Sequence, residues 1–454
     1  MKALTRETFR RLIGFKVLLA LALIAAGCTG GGQSPAESAG SSETSANESA
    51  ESSGSTGGKE VVTMWGYSEP SEQLLEGFHK QYPDIDIQFV HTESADMMQK
   101  LQVSLASGSE LPDFVMLERG FRGKAISLGV FEILEDAPYS ADKSLMFDNS
   151  PITHSNAEGQ LVSIPTDMSV AGLMYKRGLA KEYLGTDDPA ELEQMMPTWE
   201  AMLAKGLEVK EKSGGKVFLF PSLWDLWSFL ESQAQSKQPF VDGSKLNREQ
   251  LVATYEQLIQ FRDAGVVDKL TEWSPAWNAA FAQNNHIFSI GPVWAPSYLL
   301  ENNDPDGKDA GRWGLITPPG GGVIMGGSGY GILKDADNKE AAWKFIQFAK
   351  LTQEGTVLEK SSGTFNHFKA AYDDPEFTKW EHAWFGGQDI GQKYFVDLIS
   401  SANDYYLSEY EPIIRQANEV ALKALNADPT LTVDGVMEKI VQHIQEIEPN
   451  IETE

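Results

Sequence analysis

Between Glu60 and Val90 the apolar residues change period twice, and this stretch limits the fold more than any other. Val61-Val62-Thr63-Met64-Trp65 is a β-rich run released by Gly66. Leu74, Leu75, Phe78 and Tyr82 then recur at helical spacing until Pro83, and Ile85, Ile87, Phe89 and Val90 resume a strand. Strand, helix, strand at this spacing is a βαβ unit, which sets the two strands parallel and makes the crossover right-handed. The pattern continues with a helix over 97–106, a break at Ser107-Gly108-Ser109 and a buried strand, Asp113-Phe114-Val115-Met116-Leu117. Open α/β sheets bind ligands beyond the carboxyl ends of their strands, so the loops after Trp65 and Leu117 are expected to line a site.

Downstream, Ser163-Ile164-Pro165 leads into a strand-like 171–175, and a helix is predicted over 198–212 with Thr198 as its N-cap. Further strands are predicted at 217–220 and 287–290, and further helices at 223–235 and 247–263. The stretch 313–316 runs into Pro318-Pro319 and a seven-glycine region ending at Gly331. Ala342, Phe345, Ile346 and Ala349 trace an amphipathic helix, and 390–454 reads as mostly helical. No short-period repeat is present, which excludes solenoids and propellers.

The N-terminus has a different character. Lys2, Arg6, Arg10, Arg11 and Lys16 precede an apolar run over 17–26, too short to span a bilayer as a helix but suited to an export signal over 1–27. Gly27 and Cys28 close it, and Cys28 is the only cysteine in 454 residues. Small residues before a lone cysteine look like the lipobox of bacterial lipoproteins, although Ala25 stands where leucine is usual; the alternative is a buried free thiol. Lipidation of Cys28 is expected. The Gly/Ser/Thr/Ala/Glu stretch that follows has almost no apolar bulk, so residues 28–59 are expected to form a disordered tether with a span of about 30 Å. Residues 1–27 carry five basic residues and one acidic, so their removal takes the formal charge from −28 to −32. That balance argues against nucleic acid as a partner. The expected location is the outer face of the cell membrane, held there only by the lipid and in a Gram-positive cell.

Several stretches, in order, resemble the family 1 extracellular solute-binding proteins of ABC importers, the group that includes maltose- and oligosaccharide-binding proteins. They are Met64-Trp65-Gly66, Ala106-Ser107-Gly108 with Leu111-Pro112-Asp113-Phe114-Val115, Ile164-Pro165 with Leu173-Met174-Tyr175, and Pro197-Thr198-Trp199-Glu200. Phe281-Ala282 through Ile290-Gly291-Pro292-Val293-Trp294, Trp313-Gly314 with Pro318-Pro319-Gly320, 326–332 and 341–346 complete the series over residues 60–360. Two departures are Tyr175-Lys176-Arg177 for the usual Tyr-Asn-Lys, and Asn285 for a glycine. The resemblance implies an α/β, two-lobed periplasmic-binding-protein fold of the type II kind, each lobe a parallel-rich sheet flanked by helices. Crossovers are expected near 168–171, 311 and 355–365. They divide the chain into a first lobe of 60–168 with 312–358 and a second lobe of 169–311 with 359–454. It further implies a monomeric receptor that closes on a carbohydrate and delivers it to permease subunits.

A sugar presents apolar C–H faces to aromatic rings and hydroxyls to paired donors and acceptors. Candidate ligand residues are therefore Trp65, Tyr67 and Glu69 after the first strand, Glu118 after the third, and Asp167 and Ser169 at the first crossover. Trp224, Trp227, Trp273 and Trp294 add aromatic surface, and Gly327 and Ser328 close backbone approach. Trp65 and the Trp224/Trp227 pair fit core positions as well as ligand positions, and Glu118 with Arg119 beside it fits an exposed ion pair as well as a ligand contact. Trp277 shares the loop-like segment of Trp273. In relatives a tryptophan at the place of Trp294 stacks on ligand. Gly326-Gly327-Ser328-Gly329 lacks the spacing of a nucleotide loop. No His-Glu-x-x-His, Gly-x-Ser-x-Gly or metal-ligand spacing is found, so no enzyme, cofactor or metal is expected. The alternatives are a carbohydrate-active enzyme, for which two carboxylates suffice, and the same receptor with a peptide or polyamine cargo.

Overall fold

The structure, a computed structural model, describes residues 59–454. The expected signal at 1–27, the lipidation at Cys28 and all but the last residue of the 28–59 tether lie outside the described residues. Among the described residues no helix is long and apolar enough to cross a membrane.

The strands are β1 (Glu60–Gly66), β2 (Ile85–His91), β3 (Phe114–Glu118), β4 (Ile164–Pro165), β5 (Val170–Lys176), β6 (Val241–Asp242), β7 (Lys245–Leu246), β8 (Phe288–Pro292), β9 (Trp313–Ile316), β10 (Val323–Ile324) and β11 (Ser328–Ile332). The first sheet has the order β2-β1-β3-β11-β4. β1 pairs in parallel with β2, from Glu60 opposite Ile85 to Gly66 opposite His91, and in parallel with β3, as the βαβ reading requires. Side chains alternate across it. Val62, Met64, Phe114 and Met116 pack under helices α1 (Glu72–Gln81) and α8 (Lys339–Leu351). Trp65, Val115 and Leu117 face α2 (Ser94–Ser107) and α3 (Arg119–Ser127).

The second sheet is built around β5, all seven residues of which are buried. Its neighbours β8, β9 and β10 all run antiparallel to it. The parallel pairing expected for both lobes is therefore confined, in the second and among the described residues, to single bridges at Phe218–His286, Phe220–Val267 and Lys245–Glu452. β8 and β9 do run in the same direction, but β5 lies between them. The strand expected at 217–220 is reduced to the first two of those bridges. Helices α4 (Trp199–Ser213), α5 (Leu223–Gln235), α6 (Arg248–Ala264), α7 (Pro275–Ala280), α10 (Glu411–Ala427) and α11 (Val433–Ile447) contribute to its one continuous core. The last helix of the first lobe is α9 (Gln353–Ser361). Local chemistry sets these ends: Thr198 accepts from Ala201 N–H to start α4, Ser222 accepts from Asp225 N–H to start α5, and Gly265 at φ 64° ends α6.

The chain leaves the first sheet after Pro165 and enters the second at Val170. The sequence places the return near 311, but Trp313–Ile316 pairs with β5 and Val323–Ile324 does likewise, so 313–324 belongs to the second lobe and not the first. Pro318 to Gly322 only turns the chain from β9 to β10. The crossing occurs at 325–327, where Gly326 and Gly327 take φ of 83° and 92°, a left-handed backbone that favours glycine. The third passage lies between α9, whose Leu358 packs on α1, and Phe365, which is in the second core. Residues 402–410, expected to be helical, form an irregular segment.

At this third passage Lys350 and Glu359 form a buried ion pair; Lys350 also donates to the Thr166 carbonyl at 2.9 Å and Glu359 accepts from Asn366 at 3.0 Å. Lys350→Met leaves a buried carboxylate uncompensated and should cost about 3–5 kcal/mol, whereas Lys350→Met with Glu359→Leu should cost less than the single change. Urea denaturation of both variants checks this. A single-variant loss below about 1 kcal/mol would contradict the role given to the pair.

Candidate ligand-binding cleft

A cavity of about 280 Å³ opens between the carboxyl end of β3 with the start of α3 on one side and α5, α10 and the 273–294 segment on the other. Its aromatic wall is assembled from three places in the chain. Trp224 projects from the first turn of α5. Trp273 sits in a turn at φ 58° and is 46% exposed. Trp294 follows β8 and donates its indole N–H to the Met325 carbonyl at 3.3 Å, which ties it to the second crossover. The Trp273 ring lies 6.0 Å from Trp224 and 6.5 Å, nearly parallel, from Trp294. Trp227 is buried and stacked on Tyr255 at 4.4 Å, so it reaches the cavity only as part of its floor. Asp225 points the other way: it is fully buried and accepts from the Trp277 indole at 2.9 Å, which makes Trp277 a core residue.

The polar wall comes from both lobes. Glu118 caps α3 by accepting from Gly120 N–H at 2.9 Å and lies 3.7 Å from Arg415. Arg119 makes two hydrogen bonds to Asp404, at 2.6 and 3.0 Å, and its guanidinium lies 4.9 Å from the centre of the Tyr405 ring. Tyr405 accepts in turn from Gln235 at 2.7 Å. Glu231 and Glu411 are half-buried by surface area, yet they sit deep in a concave site where little water reaches them. Burial pushes Glu231 up to about 7, against the pull of Arg415, and Glu411 up to about 8, with Glu231 itself adding to the rise. Asn418 is 3% exposed; its Oδ1 accepts from the Tyr255 hydroxyl at 2.9 Å and its Nδ2 has no partner.

The expected site residues fall into three groups. Glu118, Trp224, Trp227, Trp273 and Trp294 line the cleft. Asp167, Ser169, Gly327 and Ser328 line a separate cavity of about 20 Å³ between the crossovers, room for a water and not for a sugar. The Asp167 carboxylate is already engaged by Ser328 N–H at 3.0 Å and the hydroxyls of Thr166 and Ser169 at 2.7 and 3.0 Å, so these four positions hold the crossovers together instead of a ligand. Trp65, Tyr67 and Glu69 are away from the cleft. Trp65 is core with the Lys100 ammonium over its ring at 3.7 Å, Tyr67 shares a hydrogen bond with Ser328 at 2.5 Å, and Glu69 is exposed. The reason is strand order: β3 lies beside the crossover strand β11, and β1 is one strand further out. Arg119, which the sequence pairs with Glu118, is bonded to Asp404 instead; the residues not anticipated are Glu231, Tyr405, Glu411, Arg415 and Asn418. Trp224, Ser228 and Glu231, and likewise Glu411, Arg415 and Asn418, recur at i, i+4, i+7, a spacing that marks one helical face.

The family model for bacterial extracellular solute-binding proteins matches residues 73–384. The chain belongs to this family. As a solute-binding protein it is similar to the lactose-binding protein of Rhizobium radiobacter, 25% identical over 74% of this chain and 82% of the relative. It is also similar to the arabinooligosaccharide-binding protein of Halalkalibacterium halodurans, 24% identical over 81% of this chain and 84% of the relative. The galacto-N-biose/lacto-N-biose I-binding protein of a Bifidobacterium longum ABC transporter, solved with lacto-N-biose, superposes with a TM-score of 0.69 at 18% identity, covering 88% of this chain and all of that one. That likeness establishes the two-domain periplasmic-binding-protein fold.

The raised carboxyl of Glu411 has a consequence for stability. The folded state holds that proton to about pH 8 and the unfolded chain releases it near 4.5, so the contribution is full below 4.5 and is lost as pH rises through 8. Relative to the wild type, Glu411→Gln should therefore gain thermal stability from pH 5 to about pH 8 and level off above it, in the absence of ligand. Paired melting curves across that range check it, and a flat or falling difference would refute the raised carboxyl.

Proposed function

We propose that this solute-binding protein captures an oligosaccharide outside the cell and presents it to the permease subunits of an ABC importer. The observation that carries the reading is the Trp224–Trp273–Trp294 wall facing Glu231 and Glu411, apolar faces for sugar C–H groups set opposite acceptors for hydroxyls. The carbohydrate ligands of the relatives agree with it. Capture is reversible and changes no covalent bond. Ligand touching both Glu118–Gly120 of the first lobe and the aromatic wall of the second favours the closed arrangement, and that difference in affinity is the signal to the permease.

Two carboxylates in one cleft bring up the hydrolase alternative. Glycoside hydrolysis needs one carboxyl protonated and its partner ionised, with their environments pushing them apart. Burial here raises both Glu231 and Glu411, which favours binding over catalysis. The receptor acts as a monomer, carries its lipid on Cys28, is tethered by residues 28–59 and works at the outer face of a Gram-positive membrane.

A thermal-shift screen of the purified protein against mono- and oligosaccharides should give one sugar family that raises stability, by about 2.7 kcal/mol at a hundredfold excess over Kd. Chromatography should return that sugar intact; recovery of cleaved sugar would overturn the receptor reading. Trp273→Ala, at an exposed position, should weaken binding at least about tenfold with little change in melting temperature; Trp294→Ala should weaken binding as much and also lower the melting temperature, because it removes core packing and the bond to Met325. For the anchor, Cys28→Ala should move the protein from the membrane fraction to the medium. Retention of that variant in membranes would refute lipidation as the attachment.

A further inference from the structure

Resting on the saccharide reading, the charge of the cleft narrows the ligand further. Four carboxylates line it, Glu118, Glu231, Glu411 and Glu419, against two guanidinium groups. Arg119 is committed to Asp404, with both side chains about nine-tenths buried. Arg415 is exposed at the rim, 3.7 Å from Glu118 and 3.6 Å from Glu419, and Lys423 reaches only Glu419, at 4.0 Å. Among the described residues no basic group lies within ion-pair distance of Glu231 or Glu411; the side-chain donors to Glu231 are neutral, Gln235 at 3.5 Å and the Trp227 indole. A second, independent observation points to a ligand here. Asn418, two turns along α10 from Glu411, lines the same cavity while almost wholly buried, and its Nδ2 has no acceptor. A buried amide donor without a partner costs about 1–3 kcal/mol unless an incoming group accepts from it.

We propose that the saccharide taken by this cleft carries a protonated amino substituent, held between the Glu231 and Glu411 carboxylates. Burial keeps both carboxyls largely protonated on their own, so a neutral sugar gains only neutral hydrogen bonds from them. An ammonium offers three donors and favours release of a carboxyl proton to solvent, which exchanges a buried acid for a charge-assisted pair. The faces of Trp224, Trp273 and Tyr405 add attraction for a cation where water is excluded. Asn418 Nδ2 then donates to a ring or hydroxyl oxygen of the same sugar unit, a contact that a linear polyamine does not provide.

Isothermal titration of the full-length protein near pH 6.5 tests this with matched sets: amino-oligosaccharides of α and β linkage, their N-acetyl counterparts, their hydroxyl counterparts, and spermidine. The best amino-saccharide should bind at least about tenfold more tightly than both of its neutral counterparts. In Glu231→Gln/Glu411→Gln that ratio should fall to about threefold or less, whichever way absolute affinity moves. Single Glu231→Gln, checked for folding by its melting curve, should give an intermediate ratio. Equal or tighter binding of the neutral members would overturn the amino-sugar inference and leave the saccharide reading standing. Binding of spermidine with no saccharide, or of no member at all, would overturn both.

Discussion

Three segments of chain cross between the lobes, and one residue touches all three. The Asp167 carboxylate, on the first crossover, accepts from Ser328 N–H on the second, while its main-chain carbonyl is bonded to the His367 ring on the third at 3.0 Å. Backbone bonds run alongside: Thr166 N–H to the Ser328 carbonyl at 2.9 Å, Met325 N–H to Ser169 at 2.8 Å, and Met168 N–H to Phe365 at 2.5 Å. The two sheets share no strand, so this small polar junction sets where one sits against the other. Burial keeps the His367 ring neutral, down to about 4, and the ring therefore serves as a fixed hydrogen-bonding group at ordinary pH.

The junction explains why the cleft is lopsided. The first lobe contributes little more than Glu118–Gly120, because of its three parallel strands only β3 lies beside the crossover strand β11. The second lobe supplies the aromatic wall, the unpaired carboxylates and the buried amide, and its core runs unbroken behind them. Most of the recognition chemistry is thus carried by one rigid body, and the other acts as a cover with a few polar contacts.

How legible this was depends on the range of the interaction. Periodicity, caps and glycine breaks are local, and they place β1, β2, β3 and most helices within a residue or two. Trp224, Trp273 and Trp294 are legible by type and by position after turns or buried strands. Trp65 and Tyr67 follow the same strand-end rule yet miss the cleft, because the order β2-β1-β3-β11-β4 is a fact of pairing that no local pattern encodes. The same holds for 313–316, whose partner is β5 and whose lobe cannot be read from four residues. Asp404 and Tyr405 sit in a segment without periodicity and are positioned by docking alone: a Cβ on Gly123 would lie 2.3 Å from the Ser408 carbonyl, so this approach of segment to helix depends on glycine.

The ion pair between Arg119 and Asp404 joins the first lobe to a segment anchored in the second at Ala402 and Ile414. Both side chains are about nine-tenths buried, so parting the lobes there would bring two ions into water and give up two hydrogen bonds, at 2.6 and 3.0 Å. The crossovers are therefore not the sole tie between the two bodies. A shielded charge pair beside the cleft holds them as well, and added salt should loosen it far less than it loosens the exposed pairs of Arg415.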